Sequence, residues 1–181
     1  TYADLRLATN RFANALDAVL KVNDGSFYRQ EEIPNLGDVR GKLVLFRQFD
    51  LPDPPPAGHW GIPASAGWGT PHRECFTIPI PGGQIIGQDA YKVPFMWAGD
   101  HIGDITNKWN NILALINMAV SNPSSPVKTL LVNYTSGAGI LLVPTPYAIS
   151  RGTIFNTGIN HRLYEWLLGN AGTARLGIVA M

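Results

Sequence analysis

The apolar and polar positions of the chain alternate between helical and extended patterns. Three segments have apolar residues at helical spacing and are predicted to be amphipathic helices: residues 4–21, a segment from Asp100 or Asp104 to about Val120, and a helical region that opens over 146–159 and is closed by Gly169. Short apolar runs predict four strands: residues 43–46, 84–91 and 128–134, and a last strand that starts at Arg175. Strands that alternate with helices form right-handed βαβ units, so the pattern predicts an α/β fold with a parallel sheet.

Polar side chains follow the first three predicted strands directly. Residues 43–46 are an unbroken apolar run, which is typical of a strand buried on both faces, and Arg47 and Gln48 come next. Gln88 and Asp89 stand at the exit of the second strand, and Ser136 follows the third. Ligands bind at the carboxyl ends of the strands in parallel α/β folds, so these residues are candidates for a binding site.

Residues 51–81 form the longest segment without a helical or extended prediction. Its many prolines predict a long irregular loop, and loops of this length inside a compact domain are usually functional or disordered. Trp60, Trp68 and Phe76 favour an ordered loop that acts as a lid or a wall of a binding site. In the last helix, Leu163, Trp166 and Leu167 are predicted to form the buried face.

Composition narrows the possible classes of protein. The chain has 181 residues, of which 45% are hydrophobic and 15% charged, as in a globular protein with a real core. The formal net charge of +1 gives no support to a nucleic acid partner. The single cysteine, Cys75, excludes an internal disulfide and a cysteine-based zinc cluster. Asp38, Asp50 and Asp53 do not have the spacing of a metal-binding carboxylate cluster.

The segment 36–50, LGDVRGKLVLFRQFD, resembles a segment of the phosphatidylinositol-specific phospholipase C family of the bacterial and fungal single-domain type. Three further matches follow in the family's order: GQDAYK at 87–92, LLVNYTS at 130–136 and LGIVAM at 176–181. The resemblance runs from about Phe27 to the end of the chain. It implies a TIM-type (β/α) barrel, of which residues 1–181 are the carboxyl-terminal half of a single domain, with strands five to eight.

The resemblance also implies an inositol headgroup pocket at the strand exits. Asp89 and Tyr91 match the family's Asp-x-Tyr, in which the carboxylate accepts hydroxyl hydrogen bonds and the ring packs on the sugar. Trp68, or Trp60 as the second choice, fits a family tryptophan over the pocket, and Ser136 would lie at its rim. Gln48 stands where the family has an arginine. Without the resemblance, the residues favour Asp89 as a turn cap and Tyr91 as a half-buried packing residue over a site, and a plain turn hydroxyl is as good an interpretation of Ser136 as a place at the rim.

As a function, the resemblance implies cleavage of phosphatidylinositol-type lipids to diacylglycerol and a cyclic inositol phosphate, at a transiently bound membrane surface. The family's catalytic histidines lie in the amino-terminal half, and none of the four histidines here matches their motif. A chain that opens on Thr1 and stops within a strand is expected to be part of a longer protein, and without the missing half it is expected to be inactive. No cofactor is implied, calcium is left open, and secretion follows from the family. The alternative is a non-catalytic barrel that binds a sugar or lipid, which Gln48 favours.

Overall fold

The computed structural model describes residues 2–51, 55, 57–64, 73–93, 102–121, 126–139, 146–153, 156–170, 172 and 176–180. Its helices are α1 (Tyr2–Val22), α2 (Ile102–Ser121), α3 (Pro146–Arg151) and α4 (Ile159–Gly169). Its strands are β1 (Phe27–Tyr28), β2 (Leu43–Val44), β3 (Phe46–Arg47), β4 (Ile62–Pro63), β5 (Arg73–Ile80), β6 (Gly83–Asp89), β7 (Lys92–Val93), β8 (Lys128–Tyr134), β9 (Ala138–Gly139), β10 (Gly152–Thr153), β11 (Asn156–Thr157) and β12 (Ile178–Ala180). The chain divides into two compact units: Thr1–Gly69 with Ile78–Gly83, and Thr70–Thr77 with Gln84–Met181.

The first unit is built on α1, which confirms the helix predicted over residues 4–21. No glycine or proline interrupts this helix, and its Ala13 and Leu20 are fully buried against Trp60. The Asn23 side-chain amide donates to the Val19 carbonyl at 2.9 Å and so satisfies one of the free acceptors at the helix end. Trp60 is 1% exposed, so its indole belongs to the core of this unit.

The apolar run 43–46 is extended, but it is not buried on both faces as predicted. Leu43 is 64% exposed, and the rest of the run is half-buried. Short strands pair with it in parallel on two sides, β1 with β2 and β3 with β4. Leu45 joins the two pairings, because its N–H donates to the Tyr28 carbonyl at 3.1 Å and its carbonyl accepts from Ile62 N at 2.9 Å. Apolar content therefore predicted the strand but not its burial.

Four strands form a sheet in the order β12-β8-β6-β5, and all of its residues belong to the second unit except those within Ile78–Gly83. Strand β12 is parallel to β8, with Ile178 opposite Val132. The Gln84 amide bonds to the Thr129 hydroxyl and the Gln88 amide to the Asn133 side chain, both 45 residues apart, and this constant offset shows that β6 and β8 are also parallel. This part of the sheet is the parallel arrangement that the sequence predicted.

Residues 51–81 are not wholly irregular, because β4 and β5 lie within them. Along β5 the side chains of Phe76, Ile78 and Ile80 are buried while Cys75, Thr77 and Pro79 are exposed, which is the alternation of a half-buried strand. Pro79 is tolerated because β5 ends the strand order, and an edge strand needs only part of its N–H groups for pairing. The two-residue turn 81–82 then leads antiparallel into β6, with Gly82 at φ 72°. The prediction of an irregular segment was wrong for β4 and β5, because prolines do not exclude an edge strand in which buried and exposed side chains alternate.

The helices of the second unit pack through one apolar cluster. Its buried members are Ile105, Ile112, Ile116, Ile149, Ile159 and Leu163. Helix α2 confirms the prediction that ends near Val120, but the segment 146–159 is not one helical region. Gly152, at φ 91°, ends α3, and the antiparallel pair β10–β11 precedes α4. Leu167 is 42% exposed, so its predicted burial was wrong, whereas Leu163 is buried as predicted.

Replacement of Gly87 by alanine is expected to destabilise the second unit. An added Cβ would overlap the ring of the buried Phe76, lying 2.6 Å from its Cε2 atom, and the ring would have to move. Overpacking of this kind lowers the free energy of unfolding by roughly 1–3 kcal/mol. Urea denaturation of the purified protein measures the effect. The matched control is Gly169→Ala, because nothing lies within 4 Å of a Cβ there, and an equal midpoint for both variants would contradict the expected clash.

Candidate functional site

The exits of β6 and β8 lie side by side in the second unit. These two strands are neighbours in the sheet, and the short strands beyond them also pair in parallel, with Lys92 of β7 opposite Ala138 of β9. A Cβ added to Gly137 would lie 3.2 Å from the Tyr91 carbonyl oxygen, so the two exits touch. The structure thus brings Asp89 and Tyr91, predicted from the sequence, to the same edge of the sheet as Ser136.

Asp89 is the last residue of β6 and is half-buried. Within the described ranges no side chain or backbone N–H donates to its carboxylate. The N–H of the next residue, Ala90, donates to the Gln88 side-chain oxygen at 2.7 Å, so Asp89 does not cap that residue. Tyr91 is 37% exposed and Ser136 is half-buried. This edge of the sheet therefore carries a carboxylate, an aromatic ring and a hydroxyl.

Gln88, which the sequence placed at the same exit, is fully buried and takes part in a network instead. Its amide nitrogen donates to the Asn133 side-chain oxygen at 2.8 Å and to the Tyr134 carbonyl at 2.9 Å. Its oxygen accepts from Ala90 N at 2.7 Å and from Lys108 Nζ at 3.0 Å. The two donors and the two acceptor positions of the amide are all used, so Gln88 ties β6 to β8 and to α2.

Lys108 is the buried residue that the sequence interpretation missed. It lies on α2 and is fully buried, and its ammonium donates to Gln88 Oε1 at 3.0 Å and to the Ala90 carbonyl at 3.1 Å. Burial lowers the pKa of Lys108 to about 8, and the negative charge of Asp89 opposes this shift. A signal was present, because Lys108 lies three residues after Ile105 and four before Ile112 on the apolar face of the helix.

The exits of β8 and β12 are also joined by buried polar groups. The Thr135 hydroxyl donates to the Ala180 carbonyl at 3.0 Å, and the Asn133 amide donates to the Ile112 carbonyl of α2 at 3.0 Å. Asn133 is 1% exposed, so it is a core asparagine. Burial raises the pKa of the Tyr134 phenol, and the charge of Asp89 adds to that shift.

Solved structures resemble this chain, although no protein-family model and no curated protein sequence matches it. A pentafluorophenylalanine-containing phosphatidylinositol-specific phospholipase C from Staphylococcus aureus aligns with a TM-score of 0.59 at 21% identity, over 87% of this chain and 46% of that chain. A double mutant of that enzyme gives 0.53 at 22% identity, over 86% and 45%. A further structure, described as concerning modulation of the enzyme's membrane binding, gives 0.53 at 22% identity, over 87% and 46%.

The chain has a phosphatidylinositol-specific phospholipase C-like fold. This confirms, at the level of the fold, the resemblance seen in the sequence. The chain spans about 46% of the length of the phospholipase structures it matches, as a partial barrel would. A sequence identity of 21% supports a shared fold, but it does not assign the roles of individual residues.

Gln48, the other candidate at a strand exit, lies in the first unit of this phospholipase C-like chain. It directly follows β3 and is exposed. Its neighbour Arg47 is half-buried and donates from Nη1 to the Phe49 carbonyl at 3.0 Å, so its guanidinium is held within that unit. Trp60, the second choice for the family tryptophan, is buried in the core of the first unit, so its ring is not exposed to cover a pocket. Trp68, the preferred tryptophan, lies outside the described residues.

The histidines show no catalytic arrangement in the part of the chain that the structure describes. His59 is exposed, and its carbonyl accepts from Arg29 Nε at 2.8 Å. His161 has a carboxylate partner that the sequence interpretation did not anticipate, since its Nε2 lies 3.0 Å from Glu165 Oε1, but both side chains are exposed on α4. The same described residues hold no group of three or more His, Cys, Asp or Glu side chains fit for a metal, and no helix with the length and apolar character to cross a membrane. His72 and His101 lie outside the described residues.

Proposed function

We propose that the complete protein containing this chain is a phosphodiesterase of the phosphatidylinositol-specific phospholipase C type. This chain would supply strands five to eight of a single barrel domain and most of the headgroup pocket. The pocket side chains of the second unit would be Asp89, Tyr91 and Ser136, whereas Gln48, in the first unit, and Trp68, outside the described residues, stay predictions from the sequence. The supporting observation is that Asp89 and Tyr91 lie beside Ser136 at the carboxyl end of two parallel strands, in a fold similar to that of a phosphatidylinositol-specific phospholipase C.

Each proposed pocket residue has a role suited to a polyol. The Asp89 carboxylate can accept hydrogen bonds from two ring hydroxyls, and the Tyr91 ring can cover the C–H face of the sugar. Ser136 would bond a hydroxyl at the rim. Gln48 would bond hydroxyls through its amide, without the charge of an arginine.

The chemistry would come from the other half of the barrel. The inositol 2-hydroxyl would attack the phosphorus and lose its proton to one histidine, while a second histidine would protonate the departing diacylglycerol oxygen. The products would be diacylglycerol and a cyclic inositol phosphate. The reaction needs no cofactor, because one histidine takes up a proton and the other supplies one. The substrate implies transient contact with a membrane surface, and we propose an extracellular location.

Phosphatidylinositol vesicles test this proposal directly. The complete protein is expected to release diacylglycerol, whereas the purified 181-residue chain is expected to release none above the blank. Release by the 181-residue chain would show that the catalytic groups lie within it. Binding of inositol by the complete protein without any release would favour the alternative, a non-catalytic barrel that binds a sugar or lipid, which the exposed Gln48 in place of an arginine supports.

Replacement of Asp89 by asparagine is expected to weaken binding of myo-inositol by the complete protein about tenfold, because a neutral amide replaces a charged acceptor of similar size. Isothermal titration calorimetry measures the affinity. Asp38→Asn is the control, since Asp38 is an exposed carboxylate in a short 3-10 helix (Leu36–Val39) of the first unit. Equal loss in both variants, or none in Asp89→Asn, would remove Asp89 from the pocket.

A further inference from the structure

The Lys108 ammonium bonds to both chain neighbours of Asp89. It donates to the side-chain oxygen of Gln88, which precedes Asp89, and to the carbonyl of Ala90, which follows it. Successive side chains of a strand point to opposite faces, so Gln88 and Asp89 point apart. Lys108 therefore holds the strand end from one face while the Asp89 carboxylate is presented on the other.

The Lys108 ammonium makes specific polar contacts in a buried position that an apolar side chain could fill. Its Cδ lies near Gly137, 3.7 Å from where a Cβ on that glycine would stand, so the stem passes beside the β8 exit. An apolar side chain would fill this space without the penalty of burying a charge. No carboxylate forms an ion pair with Lys108 within the described residues, and its partners there are the amide oxygen and the carbonyl on either side of Asp89.

We propose that Lys108 is a positioning residue of the headgroup pocket, which fixes the backbone on both sides of Asp89 so that its carboxylate meets vicinal hydroxyls of an inositol-type polyol. This inference rests on the proposed function, because it assumes that Asp89 binds the headgroup. It adds a residue on a helix behind the sheet, with no contact to the ligand. It also makes headgroup affinity depend on the charge of Lys108.

The protonation of Lys108 gives the proposal a measurable signature. Charge-assisted hydrogen bonds are roughly twice as strong as neutral ones, so loss of the proton loosens the segment 88–90. Asp89 of β6 is the titratable group whose charge acts on Lys108, and it favours the ammonium. Asp89 also acts on Tyr134 of β8, whose pKa is raised by burial and by that charge. Helix α3 contributes the apolar Ile149 beside Gly137. The pKa of Lys108, about 8, places its titration in an accessible range.

Calorimetric titration of the complete protein with myo-inositol between about pH 6.5 and 9.5 tests the inference. The wild-type affinity is expected to fall with rising pH. The fall is roughly tenfold if ligand binding raises the pKa of Lys108 by about one unit. Lys108→Met is expected to bind weakly at every pH, with a flat profile. The control is Lys128→Met, since Lys128 is an exposed lysine at the start of β8, and it should keep the wild-type profile.

A measurement on the unaltered protein covers the case in which Lys108→Met does not fold. The NMR titration of the Lys108 Cε signal should move to higher pH when myo-inositol is bound, because the coupling between proton and ligand is reciprocal. An identical Lys108 titration with and without ligand, or a folded Lys108→Met with wild-type affinity and profile, would overturn the inference while leaving the pocket in place. Absence of wild-type myo-inositol binding at every pH would overturn the proposed pocket and the inference with it.

Discussion

Replacement of Gln88 by leucine is expected to lower the free energy of unfolding by roughly 3–5 kcal/mol. The substitution removes four hydrogen bonds from a fully buried position. Leucine fills nearly the same volume, so a cavity adds little. The loss comes instead from buried groups left without a partner, each worth about 1–3 kcal/mol, among them the Asn133 oxygen and an N–H of the Lys108 ammonium.

Gln84→Leu provides the matched control for this prediction. Gln84 lies on the same strand and the same face as Gln88 and also bonds across to β8. Among the described residues its side chain makes a single hydrogen bond, to the Thr129 hydroxyl at 3.1 Å in a half-buried site. Its loss is expected to lower the free energy of unfolding by about 1 kcal/mol or less. Urea denaturation with parallel circular dichroism and fluorescence detection compares the two. Equal losses would mean that burial of the Gln88 network adds no stability.

Helix α2 and the inner strand β8 could be predicted from the sequence because each has a clear pattern, helical spacing in α2 and a short apolar run in β8. Helix α2 and strand β8 are formed where the apolar spacing placed them. The helical spacing of α2 is strong because one face of the helix packs in the apolar cluster, and β8 contains a continuous apolar run because it is an inner strand of the sheet. Strand β5 was missed because of its proline. Its alternation was present, but Pro79 is compatible with a strand only at a sheet edge, and edge position depends on strand order.

The candidate site was predicted in part for a similar reason. The position of Asp89 and Tyr91 beside Ser136 follows from adjacent parallel strands, which a local pattern with a resemblance can indicate. Lys108 could not be assigned in this way. Whether a lysine on an apolar face turns outward or is buried depends on acceptors from other elements, here Gln88 and Ala90, which lie 20 and 18 residues away in the sequence.

The free energy of unfolding is expected to rise as the pH increases from about 8 to about 10. The reason is that burial lowers the pKa of Lys108 to about 8 in the folded protein, whereas an unfolded lysine titrates near 10.4. Between these values the unfolded chain binds more protons than the folded one, so removing protons from solution favours folding by up to about 1.4 kcal/mol per pH unit. Below about pH 8 the penalty of the buried charge is present in full.

Chemical denaturation of wild type and Lys108→Met at pH 7.5, 8.5 and 9.5 measures this slope, within roughly the window set by the two pKa values. The variant lacks the titrating group, so its free energy of unfolding should not rise with pH over this range, and the hydrogen bonds to the Gln88 oxygen and the Ala90 carbonyl are lost at every pH. The free energy of unfolding of wild type, taken relative to that of the variant, should therefore be lowest at pH 7.5 and should increase as the pH rises. The series ends at pH 9.5 because Tyr28 and Tyr134 have raised pKa values, so their ionisation in the unfolded chain lowers stability above about pH 10. A difference that stays constant across the series would show that Lys108 keeps its proton throughout, and the buried amine would then be a permanent cation.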